Sequence, residues 1–129
     1  MKQFIVSPLK HPIKATISVS ADKSISHRSV IFGAIANGRT EIKNLLSSED
    51  CLNTLKIMQQ LGIEVNVFNN YESVTVYGKG LRSFTEPKNI LNCGNSGTTI
   101  RLITGLLSAQ DFLSVLTGLR SAVVGQQDR

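Results

Sequence analysis

Apolar and polar positions alternate from Ile13 to Val19, with Ile13, Ala15, Ile17 and Val19 on one side. A period of two marks a half-buried strand. The period then changes. Val30, Ile31, Ala34 and Ile35 recur at helical spacing within Ser26–Ala36, and Gly38 is placed to stop that helix. Alternation returns over Thr40–Leu45. Ser47-Ser48-Glu49-Asp50 then opens a second helix, with a serine to cap it and two acids to suit the positive end of its dipole. Gly62 closes it, and its expected buried stripe is Leu52, Leu55, Met58 and Leu61. Two strands, Ile63–Phe68 and Ser73–Tyr77, flank Asn69-Asn70-Tyr71-Glu72, where Asn tolerates a left-handed backbone. The order is β-α-β-α-β-β.

Beyond Gly78-Lys79-Gly80 and a linker containing Pro87, the pattern restarts. Ile90–Leu91 reads as a short strand, Gly94–Gly97 as a loop, Thr98–Leu107 as a helix and Phe112–Leu116 as another strand. The chain is therefore expected to be α/β, with a repeated unit. In each repeat a strand runs through a polar loop into a helix bearing an arginine, Arg28 in the first and Arg101 in the second.

Composition narrows the picture modestly. The 129 residues suit a single domain, and with aromatics at 5% and no Trp the core must be built from Ile, Leu and Val. The net charge of +5 suits an anionic partner: a phosphorylated metabolite, nucleic acid or an acidic membrane. The basic residues are dispersed, however, with no block of like charge. No apolar run approaches the ~18 residues of a membrane span, and the first residues lack a signal-peptide core. A cytoplasmic protein is expected. Cys51 and Cys93 have neither metal-site nor redox-motif spacing, which leaves two ordinary thiols in a reducing compartment.

Two stretches carry candidate chemistry. In ADKSISHR, Lys23, Ser24 and Arg28 gather where a helix begins. A helix start presents unpaired N–H groups and partial positive charge. Lys adds a point charge, Ser a donor, and Arg a planar fork that matches phosphate or carboxylate. Plain capping accounts for the serines as well: Ser24 or Ser26 caps the helix, Lys23 is solvated and Arg28 pairs with a surface acid. His27 has no second His, Cys or carboxylate at ligand spacing, which favours a structural, hydrogen-bonded histidine. In NCGNSGTTIR, Gly94 and Gly97 permit a tight turn and close approach of a ligand to the backbone, while Thr98 and Thr99 start a helix. The GxxxxGK[ST] pattern is absent, so nucleoside triphosphate binding is not supported. A structural turn with a Thr cap is the alternative. Two such loops at matching places in a repeat favour anion binding.

Together these blocks carry a resemblance. ADKSISHRSVIFGAIANGRTEIKNLLSSEDCLNTLKIMQQLG and LNCGNSGTTIRLITGLL closely resemble the N-terminal part of the enolpyruvyl-shikimate-phosphate synthases, over Ile13 to about Gly118. The resemblance implies two domains of three βαβαββ units each, an inside-out α/β barrel. It implies transfer of the enolpyruvyl group of phosphoenolpyruvate to the 5-hydroxyl of shikimate 3-phosphate, in aromatic amino-acid biosynthesis, with no metal or organic cofactor. It makes such a protein a target of glyphosate. Carried over by motif, Lys23, Ser24 and Arg28 would bind shikimate 3-phosphate. Lys23, Asn95 and Gly97 would line the phosphoenolpyruvate pocket. Thr98 and Arg101 would support it, and Ser96 stands where the family has Ala or Ser.

The match departs after Leu116-Thr117-Gly118. The family continues with an acidic residue and an Arg-Pro block, a pattern that neither Arg120 nor Arg129 fits. The expected organisation is a leader, 1–13, that packs with the second domain in the family; a partial N-terminal domain, 14–118; and a divergent tail, 119–129. The partial domain would hold one complete unit, 14–80, and part of a second, 85–118. Such a fragment would lack the acid and base residues, so the catalytic groups stay unknown, and on its own it would be inactive. The family enzyme would be a monomer without nucleic-acid or membrane partners, while the exposed edges of a fragment favour self-association. A non-catalytic anion-binding or structural module, and a weak nucleic-acid binder, are the competing readings.

Overall fold

The second helix forms where its spacing and ends predict. In a computed structural model, which describes residues 2–118, it spans Glu49–Gln60 with Ser48 at its cap position and both acids in its first turn. Gly62 closes it, with the Gly62 and Ile63 amides returning to the Gln59 and Met58 carbonyls at 3.0 Å each. The element order is α1 (Lys23–Ile35), β1 (Asn37–Lys43), α2 (Glu49–Gln60), β2 (Glu64–Phe68), β3 (Ser73–Lys79), β4 (Leu91–Asn92), α3 (Gly97–Leu107) and β5 (Leu116–Thr117). The expected tail, with Arg120 and Arg129, lies outside the described residues.

β1, β3 and β2 make an antiparallel sheet in that spatial order. Its register pairs Ile42 with Val74, Thr40 with Val76, Val65 with Val76 and Val67 with Val74. Strand alternation therefore puts these on one face, and puts Arg39, Glu41, Glu64 and Asn66 on the other. Val74 and Val76 are fully buried with Val30, Ala34, Met58 and Leu61 from α1 and α2. Helices thus cover one face of the sheet, and Arg39, Glu41, Glu64 and Asn66 are exposed on the other. α1 approaches β3 closely. A Cβ on Gly78 would overlap the carbonyl oxygens of Gly33 and Ala36, so only glycine lets the two backbones meet. Ile103, Leu106, Leu107 and Leu91 extend the same core into the second half, where β4 and β5 pair in parallel.

Several expectations need correction. Ile13–Val19 forms no strand, and Ile17 is 79% exposed. Alternation makes a strand only where an edge receives it, and no described strand pairs with this segment. The first unit is therefore αβαββ among the described residues, without the initial strand of the expected 14–80 unit. α1 begins at Lys23 instead of Ser26 because Asp22, not a serine, caps it: the Asp22 carboxylate accepts from the Ile25 amide at 2.7 Å. Gly38 does not stop α1. The helix ends at Ile35, and Gly38 lies inside β1 opposite Gly78. On α2, Leu52 is half-buried, whereas Cys51, Thr54 and Ile57 are buried, because α2 is flanked by both α1 and α3. The left-handed turn at Asn69 and Asn70 extends to Tyr71, φ 73°, whose ring packs against the core and holds that conformation.

Candidate functional site at two helix starts

The first-turn amides of α1 emerge beside Lys23, Ser24 and Arg28, all three side-chain-bearing positions exposed. Lys23 is not simply solvated. Its ammonium pairs with Asp50 in the first turn of α2, and that hydrogen bond holds its pKa above the ordinary value. Arg28 makes no ion pair among the described residues. Ser26, buried, donates to the Asp22 carbonyl at 2.7 Å and accepts from the Leu46 amide at 3.0 Å, which anchors the start of α1 to the loop before α2.

The second loop is built differently. Cys93 and Leu91 donate to the Thr117 and Val115 carbonyls at 2.8 and 2.9 Å, fixing the loop's entry against β5. Gly94 turns with φ 59°, its amide donating to the Asn92 side chain at 2.8 Å. Gly118, φ 137°, lies so close that a Cβ there would overlap the Gly94 carbonyl oxygen. Gly97 is the first residue of α3, and the cap is Ser96 rather than a threonine: the Thr99 amide donates to its oxygen at 3.1 Å. Asn95, Thr98 and Arg101 are exposed and Gly97 is half-buried.

The two starts are joined through α2. His27, fully buried, meets the Thr54 hydroxyl through Nδ1 at 2.8 Å. Thr54 meets the Thr99 hydroxyl at 2.9 Å, and Thr99 meets Ser96 at 2.8 Å. Burial, and secondly the Lys23 charge, push the His27 pKa down, against the opposing pull of Asp50. Cys51 and Cys93 are free, buried thiols, each pushed up in pKa first by burial. Among the described residues no group of three or more His, Cys, Asp or Glu could hold a metal, and no helix is long and apolar enough to cross a membrane.

A sequence model of the EPSP synthase family (3-phosphoshikimate 1-carboxyvinyltransferase) matches residues 9–123. The chain belongs to that family. A 3-phosphoshikimate 1-carboxyvinyltransferase from Syntrophomonas wolfei is 54% identical over 114 residues, 88% of this chain and 26% of that protein. One from Herpetosiphon aurantiacus is 51% identical over 106 residues, 82% of this chain and 24% of that protein. An EPSP synthase structure from Acinetobacter baumannii matches with a TM-score of 0.76 and 45% identity, covering 81% of this chain and 23% of that one. The chain thus spans about a quarter of the length of the EPSP synthase relatives it matches.

Within this EPSP synthase segment, the structure brings Lys23, Ser24 and Arg28 to one helix start and Asn95, Gly97 and Thr98 to another. Sequence reasoning missed the residues between them: Asp50 and Thr54 of α2. A signal existed. Thr54 stands one turn before Met58, and Asp50 one turn before Thr54, so both continue the buried side of α2 toward its N-terminus. A polar residue prolonging an apolar stripe is a candidate for a buried hydrogen bond.

Proposed function

We propose that this chain supplies a substrate-binding part of a cytoplasmic shikimate-pathway enolpyruvyl transferase, one that moves the enolpyruvyl group of phosphoenolpyruvate to the 5-hydroxyl of shikimate 3-phosphate. The observation that carries the reading is the pair of helix starts, one rich in cations and one in backbone and small side chains, tied together through α2. In this reading Ser24 and Arg28 hold the phosphate of shikimate 3-phosphate, against the first-turn amides of α1. Lys23 exchanges Asp50 for the substrates and touches both. Asn95 and Gly97 line the side that takes phosphoenolpyruvate or glyphosate, with Thr98 and Arg101 as support. The residues bind and orient; no described group at the two starts is set up for proton transfer. His27 is buried, and Asp50 is occupied by Lys23.

Calorimetry on the 129-residue chain tests this. Shikimate 3-phosphate is expected to bind, and Lys23→Ala or Arg28→Ala to weaken it by roughly 10- to 100-fold, the loss of one charge-assisted hydrogen bond. Both side chains are exposed, so the melting temperature should hold. These residues alone should show no turnover with phosphoenolpyruvate. Salt-dependent binding to any DNA duplex, indifferent to both substitutions, would replace this reading with a nucleic-acid binder.

A further inference from the structure

The buried groups between the two helix starts have a direction. Each hydroxyl has a single hydrogen to donate, and the contacts run His27–Thr54–Thr99–Ser96. Run in one direction throughout, that order has two polarities. In the first, Ser96 donates to Thr99, Thr99 to Thr54, and Thr54 to Nδ1 of His27, which leaves the imidazole hydrogen on Nε2. Nε2 is buried without a partner among the described residues, so this polarity strands an N–H donor away from water. In the second, Nδ1–H donates to Thr54, Thr54 to Thr99, and Thr99 to Ser96, and Nε2 keeps only a lone pair. A buried orphan donor is rarer and costlier than an under-used acceptor.

We propose that His27, Thr54, Thr99 and Ser96 form a one-way hydrogen-bond chain, with His27 carrying its proton on Nδ1, that sets the spacing of the α1 and α3 starts for two anionic ligands. Ser96 Oγ is the last acceptor, and it also receives the Thr99 amide at 3.1 Å, so the chain ends on the cap of α3 itself. His27 lies between Ser24 and Arg28 along α1. Thr54 joins His27 of α1 to Thr99 of α3, and the approaches of both threonine hydroxyls to the Asp50 carbonyl, 3.4 Å each, compete for the same hydrogens but are longer than the 2.8–2.9 Å contacts of the chain. The positioning half of this inference rests on reading the loops as anion sites. The direction of the chain does not.

Ring ¹⁵N NMR on the 129-residue chain tests the direction, with exposed His11 as an internal reference. His27 is expected as the Nδ1–H tautomer. Finding Nε2–H at His27 overturns the proposal. Thr54→Val removes the link with little change in volume. It should relax the His27 tautomer, shift the Gly97 and Thr99 amide signals on the other helix, and weaken shikimate 3-phosphate binding roughly 2- to 30-fold. Thr54→Ser should restore all three. If Thr54→Val fails to fold, the wild-type tautomer and the Thr54→Ser variant decide. Amide positions and affinity unchanged in a folded Thr54→Val chain overturn the positioning role. The expected tautomer and amide shifts without any shikimate 3-phosphate binding support the chain and overturn the anion reading instead.

Discussion

The starts of α1 and α3 each follow a polar loop, yet they are built by different means. α1 is capped by an exposed Asp22 and ringed by Lys23, Ser24 and Arg28. α3 is capped by a buried Ser96, with its loop pressed between β5, Gly118 and the Asn53 side chain. One start is defined by exposed charge, the other by closely packed backbone. A flexible cation adapts to a ligand, whereas a fixed loop selects by shape. The difference predicts that damage to the first start is felt in binding, and damage to the second in folding as well.

The sharpest way to break that contrast is Gly118→Ala. The added Cβ would overlap the Gly94 carbonyl, and φ 137° is unfavourable for alanine. A loss of about 3 kcal/mol is expected, from strain and overpacking together, read as a lower denaturation midpoint. Smaller effects should separate the two caps. Asp22→Ala and Ser96→Ala each remove one capping bond, worth about 1 kcal/mol. Ser96→Ala should cost more, because its oxygen also receives the Thr99 hydroxyl. Equal losses for the pair would mean the buried cap is no more integrated than the exposed one. The smallest effect concerns pH. The folded pKa of His27 lies below its ordinary 6.5, so the unfolded chain binds the proton first. Stability should be flat above about pH 6.5 and fall as the pH drops below it toward the folded pKa. Urea midpoints across that window check the sign, and His27→Gln should flatten the slope.

Much of this was legible from spacing. α2 could be read from its acids, its apolar period and Gly62, because each of those signals is local. The helix starts were legible as polar loops before helices, and the blocks around Lys23 and Asn95 were specific enough to suggest the family. The failures share a cause: they concern partners. Ile13–Val19 has strand periodicity but meets no edge. Leu52 fits a one-sided stripe, yet α2 is flanked by two helices, so Cys51, Thr54 and Ile57 are buried too. Asp22 caps α1 although two serines stand nearer the expected start, because a cap is decided by which residue leaves the helix with extended geometry. His27 was expected to be structural, and it is fully buried, but its route to Ser96 crosses three helices that no single window of sequence contains.

The Lys23–Asp50 pair has a consequence for which anions can enter. Asp50 is tethered, so it competes with any incoming ligand at an effective concentration on the order of millimolar or more. An ion that offers Lys23 only what Asp50 already gives must exceed that concentration to displace it. In the proposed reading, a doubly charged phosphate ester that also reached Arg28 and the α1 amides would displace it at a lower concentration. The carboxylate is a built-in competitor in a partly exposed ion pair, so added salt should loosen the pair gradually rather than leave it untouched.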